Sequence, residues 1–450
     1  MTRAGIGVDA VSRWWAWFLP PPGSRLRPLD SRDLWLAIAI AGIGAGIKAS
    51  GAWLFLTPFD LNTSPWRFGF EVGHIAAHLE AGHGFAIGTI DGRAIPSAWA
   101  SPAYPLLLAA VFRVWGTFTA GAADAVVALN CLLQGATAGL LYVFGLRLAG
   151  RRAGGMAAVL FLAQPGGWQF LAWAWPSHLF ALALSLHGLA LFSRGPRRVR
   201  WGVGLGATFG FALWVDGAAI ALLPVTLLVA ARGRGARAAP WTVLAAVVSL
   251  VVVLSPWALR NQRELGVLNP LRGNVGVNLW VGNHPDNRAE SYHGMRRSPW
   301  HDRSEERRLL ERGEAAYDRD CRDRAIDWIA GHPSRFAADT ALRFSGFWLG
   351  EWWVRYGHIA WIYSLGHVAL FALAVAGAIR RRDLGGGCLA LAVLLFSLSY
   401  SVTVHGHGRY RVPVDPVLCL FGALALAGRR VPAPGPRTPG EGERRAVESG

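Results

Sequence analysis

Apolar residues in this 450-residue chain come in long blocks of Leu, Ala, Val, Gly and Phe, separated by short runs that carry arginine. Several blocks approach the ~20 residues that cross a bilayer as one helix. The pattern predicts spans at about 34–56, 120–148, 153–166, 173–193, 201–215, 217–231, 240–258, 357–379, 384–404 and 412–428. One further apolar piece, "SPAYPLLLAAVFRVWG" (Ser101–Gly116), is short, carries Pro102 and Pro105 near its start and contains Arg113. It is read as a helix lying beside the membrane. "RFGFEVGHIAAHLEAGHGF" (Arg67–Phe85) sets Phe68, Val72, Ile75 and Leu79 in one apolar stripe, with Glu71, His74 and His78 on a neighbouring face. That spacing predicts an amphipathic interfacial helix, ended by Gly82 and Gly84.

The expected fold class is therefore an all-α polytopic membrane protein of about ten transmembrane helices, with outer juxtamembrane helices and a large extracytoplasmic loop. Residues 1–33 read as a basic cytoplasmic tail, 34–428 as the membrane domain, and the Pro/Gly-rich 429–450 as a disordered cytoplasmic tail. Within the domain, 57–119 form a first outer loop and 259–356 a large one.

Charge fixes the expected orientation. The net charge of +17 is almost wholly arginine, since Lys48 is the only lysine. The arginines cluster between apolar blocks, where the positive-inside rule places them in the cytoplasm, so membrane topology explains the excess and nucleic-acid binding does not. Cys131, Cys321, Cys388 and Cys419 show no metal-ligand or disulfide spacing. Walker, dinucleotide and serine-elbow motifs are absent from the sequence.

This topology gathers the polar residues that look deliberate onto one side. Asp60, Glu71 and His74 fall outside, Asp216 lies at an outer helix end, and Arg260, Asn261, His405, His407, Arg409 and Tyr410 are outside too. Ionisable groups near membrane depth are costly and mark function or a paired partner. In "SPWALRNQ" Arg260 stands at an outer boundary and calls for an anion, either a ligand's or a lipid headgroup's. In "HGHGRYRVPVDP" Arg409 and Arg411 flank Tyr410, a pattern suited to bidentate phosphate binding or to interfacial anchoring. Glu71 is open to three readings: a solvated face, a zinc ligand with His74 and His78, or a catalytic carboxylate. The loop Asn269–Tyr292, rich in Asn and Gly, reads as turns offering amides to a polar ligand, and Ser304–Ile329 as a solvated helix.

In order along the chain, these segments resemble the GT-C superfamily of integral-membrane glycosyltransferases, in the branch of protein O-mannosyltransferases and lipid A aminoarabinose transferases. The features are an acidic residue before "IAAHLEAGHGF", then "SPAYPLLLAAVFRVWG", then "SPWALRNQRELG" with "NVGVNLWVGNHPD", and "HGRYRVPVDPVL" at the last span. The resemblance implies transfer of a sugar, with inversion, from a polyprenyl-phosphate donor to an extracytoplasmic acceptor. It implies an acid of the first outer loop as general base, a role Glu71 matches by position. The better-known members carry Asp there, which keeps Asp60 as the rival. Arg260, Arg409 and Arg411 match the cations near the leaving phosphate, and Asn261, Tyr410 and His407 complete the candidate substrate-binding set. No cofactor is assigned, and a divalent cation is left open. A multi-span flippase or a non-catalytic membrane binding protein is the alternative.

The orientation is testable. Cysteines placed at Thr117 and Gly282 should react with an impermeant thiol reagent in intact cells, and one at Gly233 should not. Labelling of position 233 alone would invert the map.

Overall fold

In the computed structural model the described residues are 26–55, 68–90, 93–193, 198–232, 239–287, 297–349, 358–381, 386–403 and 408–428. They are overwhelmingly helical. Helices α1 (Ser31–Phe55), α2 (Phe70–Glu80), α3 (Ala103–Trp115), α4 (Ala120–Ala149) and α5 (Arg151–Ala163) lead into α6 (Ser177–Phe192) and α7 (Arg198–Val215). A 3-10 turn, Gly217–Leu222, continues into α8 (Leu223–Arg232), and α9 (Ala239–Leu265) follows. The loop region holds α10 (Val275–Gly282), α11 (Arg303–Arg312), α12 (Glu314–Gly331) and α13 (Pro333–Leu349). The chain closes with α14 (His358–Arg380), α15 (Gly387–Thr403) and α16 (Asp415–Leu426).

Among the described residues, three helices are long and apolar enough to cross a membrane: Ser31–Leu54, Ala120–Ala149 and Ala239–Leu265. Most of the other apolar blocks form helices of 10–17 residues. At 1.5 Å per residue the 13 residues of α3 reach about 20 Å.

Small residues set the helix packing. Gly135 and Gly139 of α4 lie against the backbone of Ala41 and Ala37 in α1, one turn apart. Gly202, Gly206 and Gly210 repeat the spacing on α7, facing Thr242, Ala246 and Val253 of α9. In hydrocarbon, where burial of apolar surface supplies no preference for a neighbouring helix over lipid, such close backbone approach is what holds helices together. Lys48 lies in the α1–α4 region fully buried, its Nζ 3.9 Å from the centre of the Trp168 ring.

The loops build a second, smaller core. Ile75, Phe85, Trp99, Trp257, Val277, Trp280, Tyr317 and Cys321 pack together under them. The all-α expectation holds, with one small addition: β1 (Ala86–Ile90) and β2 (Arg93–Pro96) pair antiparallel, with Thr89 opposite Ala94 and Ile90 opposite Arg93. The sequence signal is Asp91-Gly92 between two extended runs, a favoured hairpin connection. The expected turn-rich stretch after Asn269 also contains a helix, α10. The segment read as one solvated helix is two, broken at Gly313 (φ 75°), with Leu309, Tyr317 and Cys321 buried. Gly282 packs its Cα against the Thr403 carbonyl, so a cysteine there would collide and the labelling site of choice is Thr117.

Glu314 fastens this lobe. It opens α12 in a buried position and accepts hydrogen bonds from Ser97 Oγ and from the Ala98 N–H at 2.8 Å. Burial pushes its carboxyl up to about 7, against the pull of those two donors.

Two outcomes follow from this packing. A methyl group at Gly206 would press into the Ala246 carbonyl, whereas Gly204 meets nothing within 4 Å. Gly206→Ala should lower the melting temperature of the detergent-solubilised protein by several degrees, while Gly204→Ala, which adds helix propensity, should leave it unchanged or slightly raised. For Glu314, the folded chain holds a proton more tightly than the unfolded chain, whose carboxyl titrates near 4.5. Stability should therefore fall as pH rises from about 4.5 to about 7 and stay lower above that. Glu314→Gln should gain in melting temperature over the native protein at pH 8 and lose that advantage at pH 4.5, read by tryptophan fluorescence.

Candidate active site

A polar lattice begins at Asp216, the residue that ends α7. Its side chain caps the following turn by accepting from the Ala218 N–H at 3.0 Å. It also pairs with Arg272 at 3.4 Å and accepts from the Tyr400 hydroxyl at 3.3 Å. Arg272 is braced in turn by Asn274 Oδ1 at 2.6 Å. Burial disfavours its charge, but Asp216 first, and then Tyr400, Tyr410 and Glu71, outweigh this and hold its pKa above the usual guanidinium value.

Tyr400, in α15, stacks on Tyr410 with ring centres 4.3 Å apart. Arg409 bonds the Tyr410 hydroxyl and lies over two rings, 4.2 Å from the centre of Trp175 and 4.6 Å from that of Tyr410. Both rings favour the guanidinium charge, and the buried Arg409 Nε has no hydrogen-bond partner among the described residues.

Glu71 faces these cations. Gly69 starts α2 with φ 63°, and a side chain there would strike the Ala174 carbonyl and the Trp175 ring, so this glycine lets α2 begin against the arginine-bearing wall. Val72, Ile75 and Phe68 anchor the apolar stripe in the two cores, and Glu71 is left partly exposed. Glu71, Asp216, Arg272, Arg409, Tyr400 and Tyr410 line one narrow cavity of about 80 Å³. Trp99 and Tyr104 line it too, and their buried Nε1 and hydroxyl groups have no partner among the described residues. Such unsatisfied donors in a native core call for a ligand or water.

A wider cavity of about 540 Å³ opens on the other side of the start of α3, lined by Leu79, His83, Phe85, Trp214, Trp257, Arg260 and Glu264 among others. Pro102 and Leu106 face this cavity, Ser101, Tyr104 and Pro105 the narrow one.

The sequence-derived candidates therefore separate. Glu71, Arg409 and Tyr410 come together. Arg411, only two residues from Arg409, turns the other way: it is buried, pairs with Asp415 at 3.1 Å and donates to the His367 and Trp348 carbonyls. Its charge is spent inside the bundle, which corrects its assignment to a phosphate site. Arg260 clamps the hairpin by donating to the carbonyls of Ser97 and Phe85, and Asn261 bonds the Asn269 carbonyl at 2.8 Å while fully buried. Neither lines the narrow cavity. Asp60, His405 and His407 lie outside the described residues.

The zinc reading of Glu71, His74 and His78 finds no geometry: among the described residues no group of three or more His, Cys, Asp or Glu could hold a metal ion. His74 instead meets the Phe118 ring edge-on, and burial lowers its pKa. Asp216 was noted in the sequence only as a helix end, and Arg272 was hidden in an Asn/Gly-rich loop. Their signal was a charged residue of each sign beside predicted outer boundaries.

No protein-family model matches the chain, and a search of curated proteins finds no match. Solved structures similar to it include the oligosaccharyltransferase AglB from Archaeoglobus fulgidus, in complex with an inhibitory peptide and a dolichol-phosphate. That likeness has a TM-score of 0.49 and 14% identity, over 88% of this chain and 50% of that one. The chain thus spans about half the length of the archaeal enzyme. ArnT from Cupriavidus metallidurans, bound to undecaprenyl phosphate, aligns with a TM-score of 0.38 and 16% identity, over 89% of this chain and 78% of that one. Both are GT-C superfamily membrane glycosyltransferases.

Proposed function

We propose that the chain is a membrane glycosyltransferase that moves a sugar from a polyprenyl-phosphate donor to a hydroxyl acceptor on the extracytoplasmic face. The observation that carries this reading is the carboxylate of Glu71 facing two arginines, Arg409 and Arg272, across one narrow cavity in which the other carboxylate, Asp216, is already paired with Arg272. The arginines are suited to the phosphate of the donor, and the unpartnered donors of Trp99 and Tyr104 to its oxygens or the sugar hydroxyls.

The reaction needs two things from these residues, a base and cations for the leaving group. Glu71 takes the proton of the acceptor hydroxyl as its oxygen bonds to the anomeric carbon. The bond from that carbon to the phosphate oxygen breaks, and the electron pair leaves with the lipid phosphate. Arg409 and Arg272 meet the negative charge that grows there, in a site walled by aromatic rings where such interactions are strong. Attack from the side opposite the leaving group inverts the anomeric centre.

Glu71→Gln keeps size and hydrogen bonding but removes basicity. Sugar transfer in membranes supplied with polyprenyl-phosphate sugar should fall by about 10²–10⁴-fold, with donor binding retained. Arg409→Ala should weaken donor binding, and Arg409→Lys should restore it only in part, because the planar fork and its ring stacking are lost. Normal transfer by Glu71→Gln beside a dead Asp60→Asn would move the base to Asp60. Normal transfer by all of these variants would remove this cavity as the seat of catalysis, and absence of transfer by the native chain would remove the glycosyl-transfer reading.

A further inference from the structure

The C-terminus of α2 carries a feature that glycosyl transfer does not use. After Glu80 the chain makes a tight cap in which the Ala81, Gly82 and His83 N–H groups bond the carbonyls of Ala77, Leu79 and His78, at 3.0, 3.2 and 2.9 Å. Gly82 and Gly84 adopt φ of 79° and 78°, a backbone that side chains other than glycine rarely accept. These two glycines fold His83 back beside the helix. Its ring is thereby set against that of His78, with centroids 5.6 Å apart and Nδ1 facing Nδ1 at 3.4 Å.

That separation has a chemical meaning. As a direct Nδ1–H···Nδ1 hydrogen bond the contact is a long one, beyond the about 2.7–3.2 Å usual for N–H···O bonds. Two imidazole nitrogens on one tetrahedral Zn²⁺, each about 2.0–2.1 Å from the metal, lie about 3.3–3.4 Å apart. The pair sits at the rim of the molecule, and His83 also lines the wide cavity of about 540 Å³ together with Glu264. No third His, Cys, Asp or Glu closes on the pair among the described residues.

We propose that His78 and His83 form a binding site for a divalent transition metal, of the kind imidazole prefers (Zn²⁺, Cu²⁺, Ni²⁺ or Co²⁺), with its remaining positions open to water or to an oxygen ligand in the wide cavity. The backbone cap pre-organises both ligands, so binding costs little ordering of the chain. The metal would fasten the 81–85 turn to α2 and, through Phe85, the edge of the hairpin. The site is separate from the Glu71 cavity, and the proposal stands or falls independently of glycosyl transfer.

The test is a Zn²⁺ titration by calorimetry on the full chain, without a histidine tag, in detergent micelles. Co²⁺ absorption on the same samples reports nitrogen ligation. The native chain should bind Zn²⁺ in a site that His78→Ala and His83→Ala each weaken by at least about tenfold, a loss of one ligand being no milder than loss of a supporting contact. His74→Ala, one turn back on the same helix, should leave that site intact. Zn²⁺ should also raise the melting temperature of the native chain and not that of His83→Ala. Since both positions lie at an exposed cap, the metal-free variants should melt like the native chain, which separates ligand loss from misfolding. Absence of Zn²⁺ binding by the native chain, or a site unchanged in both histidine variants, overturns the proposal.

Discussion

Asp216 is the residue on which the polar site hangs. One carboxylate ends α7, caps the next turn, draws Arg272 out of its loop and positions the Tyr400 hydroxyl. Arg409 depends on it at one remove, through the stack of Tyr400 on Tyr410. Removing Asp216 would leave Arg272 half-buried with a charge and no ion-pair partner among the described residues, and charge withdrawn from water without a partner is costly to a fold. The arrangement is thus held by electrostatic need as much as by packing, and Glu71, brought in on a separate helix, completes the balance of charge across the cavity.

Much of the helical order was legible in the sequence. Long apolar runs such as 34–56, 120–148 and 240–258 leave few alternatives to helix, because an apolar environment demands that backbone groups bond within their own segment. The helix over 70–80 was equally legible, since Phe68, Val72 and Ile75 repeat at helical spacing. The loops were harder. "NVGVNLWVG" reads as turns by composition, yet α10 forms because Asn274, Asn283 and Asn287 are buried, and Asn283 and Asn287 donate side-chain bonds to backbone carbonyls. The hairpin has a sequence signal in Asp91-Gly92, but its strands, of five and four residues, are too short to show a clear alternation.

The candidate site divides along the same line. Glu71 and Arg409 could be named from their neighbours in sequence. The fate of Arg411 could not: "RYR" places two arginines on either side of a tyrosine, and only the fold shows that a 3-10 turn sends one to the cavity and the other to Asp415, four residues on. Likewise Arg260 reads as a ligand for an anion because the sequence shows its charge and not the carbonyls of Ser97 and Phe85 that satisfy it. Charge at a boundary tells that a partner exists; which partner it is depends on contacts far apart in the chain.

Lys48 offers a practical corollary. The chain's single lysine is sealed between α1 and the Trp168 ring, with no part of it open to solvent. Amine-selective cross-linkers and dyes therefore find no lysine handle on the folded protein, and a proteomic digest cut after lysine yields almost nothing. The same isolation turns Lys48 into a silent reporter: acylation at this one position would record the moments when α1 comes away from the bundle.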